Sequence, residues 1–159
     1  MTDAQVHLRP MTRAEFDEWL PRQMAAYAAL IAESGALPAV AAREKAERDT
    51  VRHFGGGFAT PGQLVFRIVA GEVPVGWLWL GVPGPDLDPL MAWVFEIEVD
   101  APFRGHGYGR AAMRLAEEEA RSRGMTSLGL NVHGQNTAAR SLYESLGYQT
   151  TALQMKKPV

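Results

Sequence analysis

Val99-Asp100-Ala101-Pro102-Phe103-Arg104-Gly105-His106-Gly107-Tyr108-Gly109-Arg110 is the stretch that decides the fold of this chain. It leaves a run rich in Val, Ile, Phe and Trp, Trp93–Val99, which reads as a strand. It then opens a helix over Gly107–Arg123, with Tyr108, Ala111, Ala112, Leu115 and Ala116 on one face. Glu117 with Arg121 and Glu119 with Arg123 form i,i+4 pairs on its solvated side, and Gly124 closes it. Closely spaced glycines at a strand-to-helix junction let backbone N–H groups approach an anion, and the helix start adds the positive end of its dipole. A pyrophosphate suits such a junction. A P-loop would end in Gly-Lys-Ser/Thr, and this loop ends Gly109-Arg110-Ala111. A Rossmann fingerprint counted from Gly105 would need its third glycine where Arg110 stands. The spacing that remains is Arg104-x-x-Gly107-x-Gly109.

Outward from this loop, Leu128–Val132 reads as a strand that pairs parallel to Trp93–Val99 through a right-handed crossover. Asn136–Leu146 is a helix capped by Asn136 and ended by Gly147, and Gln149–Lys156 is a last strand. Upstream, Val6–Arg9 is a short strand. Thr12-Arg13-Ala14-Glu15 is a capping box. It opens a helix in which Phe16, Trp19, Leu20, Met24, Tyr27 and Ile31 recur at helical spacing, with Gly35 and Pro38 at its end. A second helix runs from Ala39 to about His53, before Gly55-Gly56-Gly57 and a turn at Thr60-Pro61-Gly62. Leu64–Val69, Gly76–Val82 and Trp93–Val99 read as three strands joined in antiparallel hairpins. The order is β α α β β β α β α β: an α/β fold with a mixed sheet of about six strands and about four helices, in a single domain over residues 1–159.

Composition narrows the function. The 159 residues are 47% apolar and 21% charged, the make-up of one globular domain. Sixteen basic and eighteen acidic residues leave a net charge of −2, which gives no general pull toward nucleic acid. The absence of cysteine removes disulfides, thiolate metal sites and a cysteine nucleophile together. The N-terminal MTDAQVHLRPMTRAEF has no apolar signal core. Val73–Pro85 is too short and too broken by proline and glycine to span a membrane. A cytoplasmic protein without nucleic-acid or membrane partners is expected. Neither HExxH nor another histidine metal spacing occurs among His7, His53, His106 and His133, so no metal is expected.

Ile97-Glu98-Val99 precedes the glycine loop. Asn136-Thr137-Ala138-Ala139-Arg140-Ser141-Leu142-Tyr143-Glu144-Ser145-Leu146-Gly147-Tyr148 follows it. Together these segments resemble the GCN5-related N-acetyltransferase (GNAT) superfamily. The family's acetyl-CoA loop, Arg/Gln-x-x-Gly-x-Gly/Ala, is matched by Arg104, Gly107 and Gly109. Its later signature, Asn-x-x-Ala-x-x-Leu-Tyr-x-x-x-Gly-Phe, is matched from Asn136, with Tyr148 in place of phenylalanine. The resemblance is specific from about Trp93 to Met155 and weaker before it.

The resemblance implies transfer of acetyl from acetyl-CoA to a primary amine. Backbone amides of Gly105, His106, Gly107, Tyr108, Gly109 and Arg110 would hold the pyrophosphate, with the Arg104 and Arg110 side chains as further partners. The backbone of Ile97, Glu98 and Val99 would bond the pantetheine arm, and an N–H near Val99 would polarise the thioester carbonyl. Asn136 would support the cofactor, a role compatible with plain helix capping. Tyr143 would act on the departing thiolate; its alternative is a packing tyrosine. Without cysteine, direct attack in a ternary complex is the simplest course. A non-catalytic CoA-binding or sensing module is the alternative function.

An ammonium acceptor must lose a proton, so a base is needed. Regular alternation along Trp93–Val99 puts Glu96 and Glu98 on one face with Val94, and Trp93, Phe95, Ile97 and Val99 on the core face. Two carboxylates there are candidate bases, and Glu98 is favoured as nearer the thioester end. Some family members carry a glutamate base on the fifth strand; here that stretch is Leu130-Asn131-Val132, and asparagine cannot serve. The acceptor itself is not specified, and the segment from Trp19 to Phe54 is expected to wall its site. Only Gln149 to Val159 follows Tyr148, too little for a two-strand hairpin. One strand, Gln149–Lys156, is therefore expected antiparallel beside Leu128–Val132. Its bare far edge, or the neighbouring helix, invites a homodimer, unless Lys156, Lys157 and Pro158 guard the edge in a monomer.

Overall fold

Thr12 starts the first long helix as the capping box requires. Its hydroxyl accepts from the Glu15 amide at 3.2 Å, and the Glu15 carboxylate accepts from the Thr12 amide at 2.8 Å. The computed structural model describes residues 5–85 and 88–159. In chain order they form β1 (Val6–Pro10), α1 (Arg13–Glu33), α2 (Ala39–Phe54), β2 (Gln63–Ala70), β3 (Val73–Gly81), β4 (Met91–Val99), α3 (Tyr108–Ser122), β5 (Ser127–Leu130) and α4 (Thr137–Ser145). The five strands make one mixed sheet in the order β1-β2-β3-β4-β5. The first three neighbouring pairs are antiparallel; β2–β3 and β3–β4 follow one another directly, as hairpins do, whereas α1 and α2 lie between β1 and β2. The chain divides by contacts into a unit ending at Gly129 and a smaller one from Leu130 onward.

Alternation along β3 separates two cores. Leu78 and Leu80 are fully buried on one face, with Ile68 of β2 and Ala112, Met113 and Ala116 of α3 also fully buried. The buried stripe of α3 is thus Ala112, Met113, Ala116 and Ala120, while the expected Tyr108, Ala111 and Leu115 are half-buried. Trp77 and Trp79 point to the other face. There they join Met11, Phe16, Trp19 and Phe54 in an aromatic cluster with Leu20, Val65 and Phe95 packed against it. This cluster seats α1 and α2 on the sheet. Trp19 meets Trp77 and Trp79 edge-on, at ring distances of 5.2 and 5.9 Å, geometries that add to plain area burial.

Two expectations need correction. The strand expected over Gln149–Lys156 does not form: residues 149–159 carry no regular structure and are all exposed. Only Leu153 and Met155 offer alternating bulky apolar side chains there, and both remain in solvent, 81% and 88% exposed. The sheet therefore has five strands, and β5 is its terminal strand. The second correction concerns β4. Trp79 pairs with Glu96 but Leu80 pairs with Val94, so Phe95 is an extra residue in a β-bulge and interrupts the alternation. Val94 and Ile97 lie opposite Leu80 and Leu78 on the α3 face. Glu96 and Glu98 lie opposite Trp79 and Trp77 on the aromatic face. Phe95 stacks on Trp79 at 4.4 Å on that same face. Val94 thus parts from the carboxylates, and Phe95 joins them.

Candidate active site

Glu96 is half-buried among aromatic residues, and α1 reaches it: Gln23 Nε2 donates to Glu96 Oε2 at 3.0 Å. Burial pushes its carboxyl above the ordinary range. The Gln23 hydrogen bond opposes that rise and the neighbouring Glu98 charge adds to it. A carboxylate with a raised pKa is the better proton acceptor near neutral pH. Glu98, two residues on, is exposed and lies 3.7 Å from an Arg104 guanidinium nitrogen. The bulge places both acids on the α1–α2 side of the sheet, but only Glu96 is shielded from water.

The end of β4 is tightly constrained. Gly76 of β3 lies opposite Val99, and a Cβ on Gly76 would collide with the Glu98 carbonyl oxygen. No other residue lets these strands approach so closely. Arg104 folds back onto this end, its Nε donating to the Val99 carbonyl at 2.9 Å. The structure therefore places Arg104 against β4.

The loop itself opens outward. Gly105 and Gly107 hold φ of +80° and +81°, a left-handed conformation that other residues adopt with strain. Nothing lies within 4 Å of a Cβ built on either one. Gly107 caps α3 without a side chain, and the first intrahelical bond is Ala111 N–H to Gly107 C=O at 3.0 Å. The first-turn amides, from Tyr108 on, are thus not used within the helix. His106 turns back, with Nδ1 2.9 Å from the Arg104 carbonyl, so that nitrogen carries the proton. An open set of amides at a helix start can receive an anion.

In the unit from Leu130 onward, Asn136 caps α4: its side-chain oxygen accepts from the Ala139 amide at 3.2 Å. The capping reading of Asn136 is the one seen. Asn131 lies beyond β5, which ends at Leu130, and His133 is exposed in the following loop. Tyr143 is half-buried with its ring 5.9 Å from Tyr148. Burial pushes its phenol above the usual value, which keeps the proton on oxygen and available for donation.

Two side chains on the aromatic face of the sheet escaped the sequence reading. Gln23 lies one turn beyond Trp19 on α1, but nothing in its neighbourhood announces a carboxylate partner 73 residues away. His53, near the end of α2, packs edge-on against Phe95 at 4.6 Å and Trp79 at 5.3 Å. Burial lowers its pKa; Asp49 opposes this and Arg52 reinforces it. Lys45, Asp49 and His53 recur at i,i+4 spacing on α2, a local sign of a polar helical face. Among the described residues no group of three or more His, Cys, Asp or Glu side chains could hold a metal ion. Among them no helix is long and apolar enough to cross a membrane.

The site thus combines a mixed sheet, a glycine-rich strand-to-helix junction and a shielded carboxylate on the preceding strand. The profile of the acetyltransferase (GNAT) family matches residues 14–148, and the chain belongs to that family. YycN of Bacillus subtilis, named an uncharacterized N-acetyltransferase, is 34% identical over 102 residues, which cover 64% of this chain and 65% of that protein. YdgE of the same organism, also named an uncharacterized N-acetyltransferase, is 28% identical over 94% of this chain and 96% of its own length. A solved structure of YycN superposes with a TM-score of 0.87 at 28% identity, covering 98% of this chain and 99% of that one. The aminoglycoside N-acetyltransferase AAC(6')-Iy, solved with a CoA bisubstrate analog, shares the fold at a TM-score of 0.64 and 15% identity, over 98% of each chain.

Proposed function

We propose that this chain transfers acetyl from acetyl-CoA to a primary amine by direct attack in a ternary complex in the cytoplasm. The observation that carries the proposal is the pairing of the open amide cradle at Gly105–Gly107 with shielded Glu96 on the strand leading into it, in a chain of the GNAT family.

In this reading the amides of Gly105 to Arg110 hold the diphosphate, and Arg104 and Arg110 supply positive charge. The backbone of Ile97, Glu98 and Val99 bonds the pantetheine arm. Glu96 takes a proton from the acceptor ammonium and passes it to solvent. The freed amine attacks the thioester carbon; the C–N bond forms and the C–S bond breaks. Tyr143 donates a hydrogen bond to the sulfur as it leaves as thiolate, and the new amide sheds its extra proton to solvent. Glu98 favours cationic acceptors from the more exposed position. The preference for Glu96 over Glu98 as base rests on its burial and its Gln23 contact. A homodimer belongs to the same proposal through the neighbouring helix, because the Gln149–Lys156 edge does not form; light scattering tests it.

The activity test is thiol release from acetyl-CoA across an amine panel. The chain contains no cysteine, so every new thiol is CoA. Amine-dependent release supports the enzyme; binding of acetyl-CoA without release against any amine supports a CoA-sensing module instead.

A further inference from the structure

Gln23 sits on α1 between Trp19, one turn before it, and Tyr27, one turn after, so the three share a helical face. Trp19 is buried against Trp77 and Trp79, which fixes that face over the sheet. Tyr27 donates its hydroxyl to Asp49 Oδ2 at 3.2 Å, which ties the same face to α2. Between these two anchors Gln23 donates to Glu96 at 3.0 Å. An amide side chain has two N–H donors and one carbonyl acceptor, and an ionised carboxylate has two acceptor oxygens. One Gln23 N–H and one Glu96 oxygen meet each other. The Gln23 carbonyl oxygen and Glu96 Oε1 have no hydrogen-bond partner among the described residues. A primary ammonium, with three donors, suits that adjacent pair of acceptors.

We propose that Gln23 is a positioning residue that fixes the Glu96 carboxylate and, through its own carbonyl oxygen, joins it in holding the acceptor ammonium. The inference deepens the proposed function and rests on Glu96 as its base. The ammonium N–H bond breaks, its proton passes to Glu96 and its electron pair stays on the acceptor nitrogen.

The charged groups around the pair are few. Along β4 stands Glu98, paired to Arg104. From α2 come Asp49, held by Lys45 and Tyr27, and His53 against Phe95. Across the ladder β3 presents Trp77 and Trp79, which carry no charge. On α1 the residues one turn away, Trp19, Leu20, Ala26 and Tyr27, include no Asp, Glu, His, Lys or Arg. Loss of the Gln23 donor should therefore register directly on Glu96.

The test uses the full chain with 13C-labelled glutamate carboxyls, with Glu96→Gln assigning the Glu96 signal. Gln23→Met keeps the length and removes the donor; Gln23→Ala is the second variant, and thermal unfolding confirms that each is folded. The Glu96 titration midpoint is expected to rise by roughly half a pH unit or more in both. Its response to n-butylammonium is expected to need at least about threefold more of the amine, and acetyl-CoA affinity is expected to stay within about twofold. An unmoved midpoint, or a butylammonium response equal to wild type, overturns the proposal. Failure of the parent reading looks different: Glu96→Gln would keep full amine-dependent thiol release with an unchanged acidic limb, whatever the Gln23 variants do to the Glu96 signal.

Discussion

Trp79 of β3 stands directly opposite Glu96 of β4, and through that pairing a carboxylate comes to lie in an aromatic wall. The register holds because Phe95 is looped out as the extra residue and stacks on Trp79 at 4.4 Å. Phe95→Ala removes the stack and the contact with His53 while leaving the backbone free to keep its bulge. Phe95 is only half-buried, so the cost should fall below the range for a fully buried phenylalanine, at about 2 kcal/mol. Urea unfolding measures it. Loss of the ring also admits water to Glu96, and the acidic limb of thiol release should move to lower pH.

At the cofactor loop, Gly107→Val tests the cradle. The Cβ has open space in the protein, so the stability cost comes from the φ of +81°, about 1–2 kcal/mol for a non-glycine residue. The space a branched side chain would take is the space the diphosphate needs in the proposed function. Acetyl-CoA affinity should fall by at least about tenfold in a variant that stays folded, which corresponds to about 1.4 kcal/mol. Calorimetry reads this directly, and an unchanged affinity would sink the loop assignment.

Tyr143→Phe separates chemistry from packing. Burial raises the phenol's pKa, so the hydroxyl stays protonated through the neutral range. Its proposed work is done as charge develops on the leaving sulfur. Turnover should drop by about ten- to a hundredfold with acetyl-CoA binding little changed. Full turnover in the phenylalanine variant would leave Tyr143 a packing residue beside Tyr148.

Most of the framework was legible because its signals are local. The Thr12–Glu15 capping box, the Gly107–Gly109 junction and the Asn136 cap each specify a helix start within four residues. The β-branched and aromatic runs of β2, β3 and β4 specify strands. The bulge at Phe95 has no such signature: it depends on how β3 and β4 pair, and regular alternation put Val94 beside the acids. Gln23 was invisible for the same reason, as its partner is set by the packing of α1 on the sheet. The choice between Glu96 and Glu98 is a matter of burial, which spacing alone does not report. The strand expected at Gln149–Lys156 failed for the opposite reason. A short β-compatible run was present, but a strand needs a partner edge and a buried face, and Leu153 and Met155 have neither.

Arg9 and Glu15 provide a stability prediction independent of the site. Arg9 of β1 grips the Glu15 carboxylate with two N–H groups, at 2.9 and 2.7 Å, and so ties the sheet edge to the first turn of α1. The Arg9 hydrogen bonds lead in lowering the Glu15 pKa to about 2; burial works against them, and the Thr12 amide and the Arg9 charge assist. A carboxyl with a lowered folded pKa adds stability above its unfolded value near 4.5 and loses it as pH falls toward about 2. A third of the Glu15 side chain is exposed, so solvent screening limits the gain to about 1 kcal/mol. Glu15→Gln keeps one oxygen able to complete the capping box and removes the charge together with one of the two acceptors that Arg9 uses. The wild type should therefore exceed this variant in unfolding free energy by that amount at pH 6 to 7. The difference should shrink steadily below pH 4.5 and vanish near pH 2. A gap that persists unchanged to pH 3 in urea titrations would mean that the charge on Glu15 adds nothing and that the difference comes from the lost hydrogen bond to Arg9.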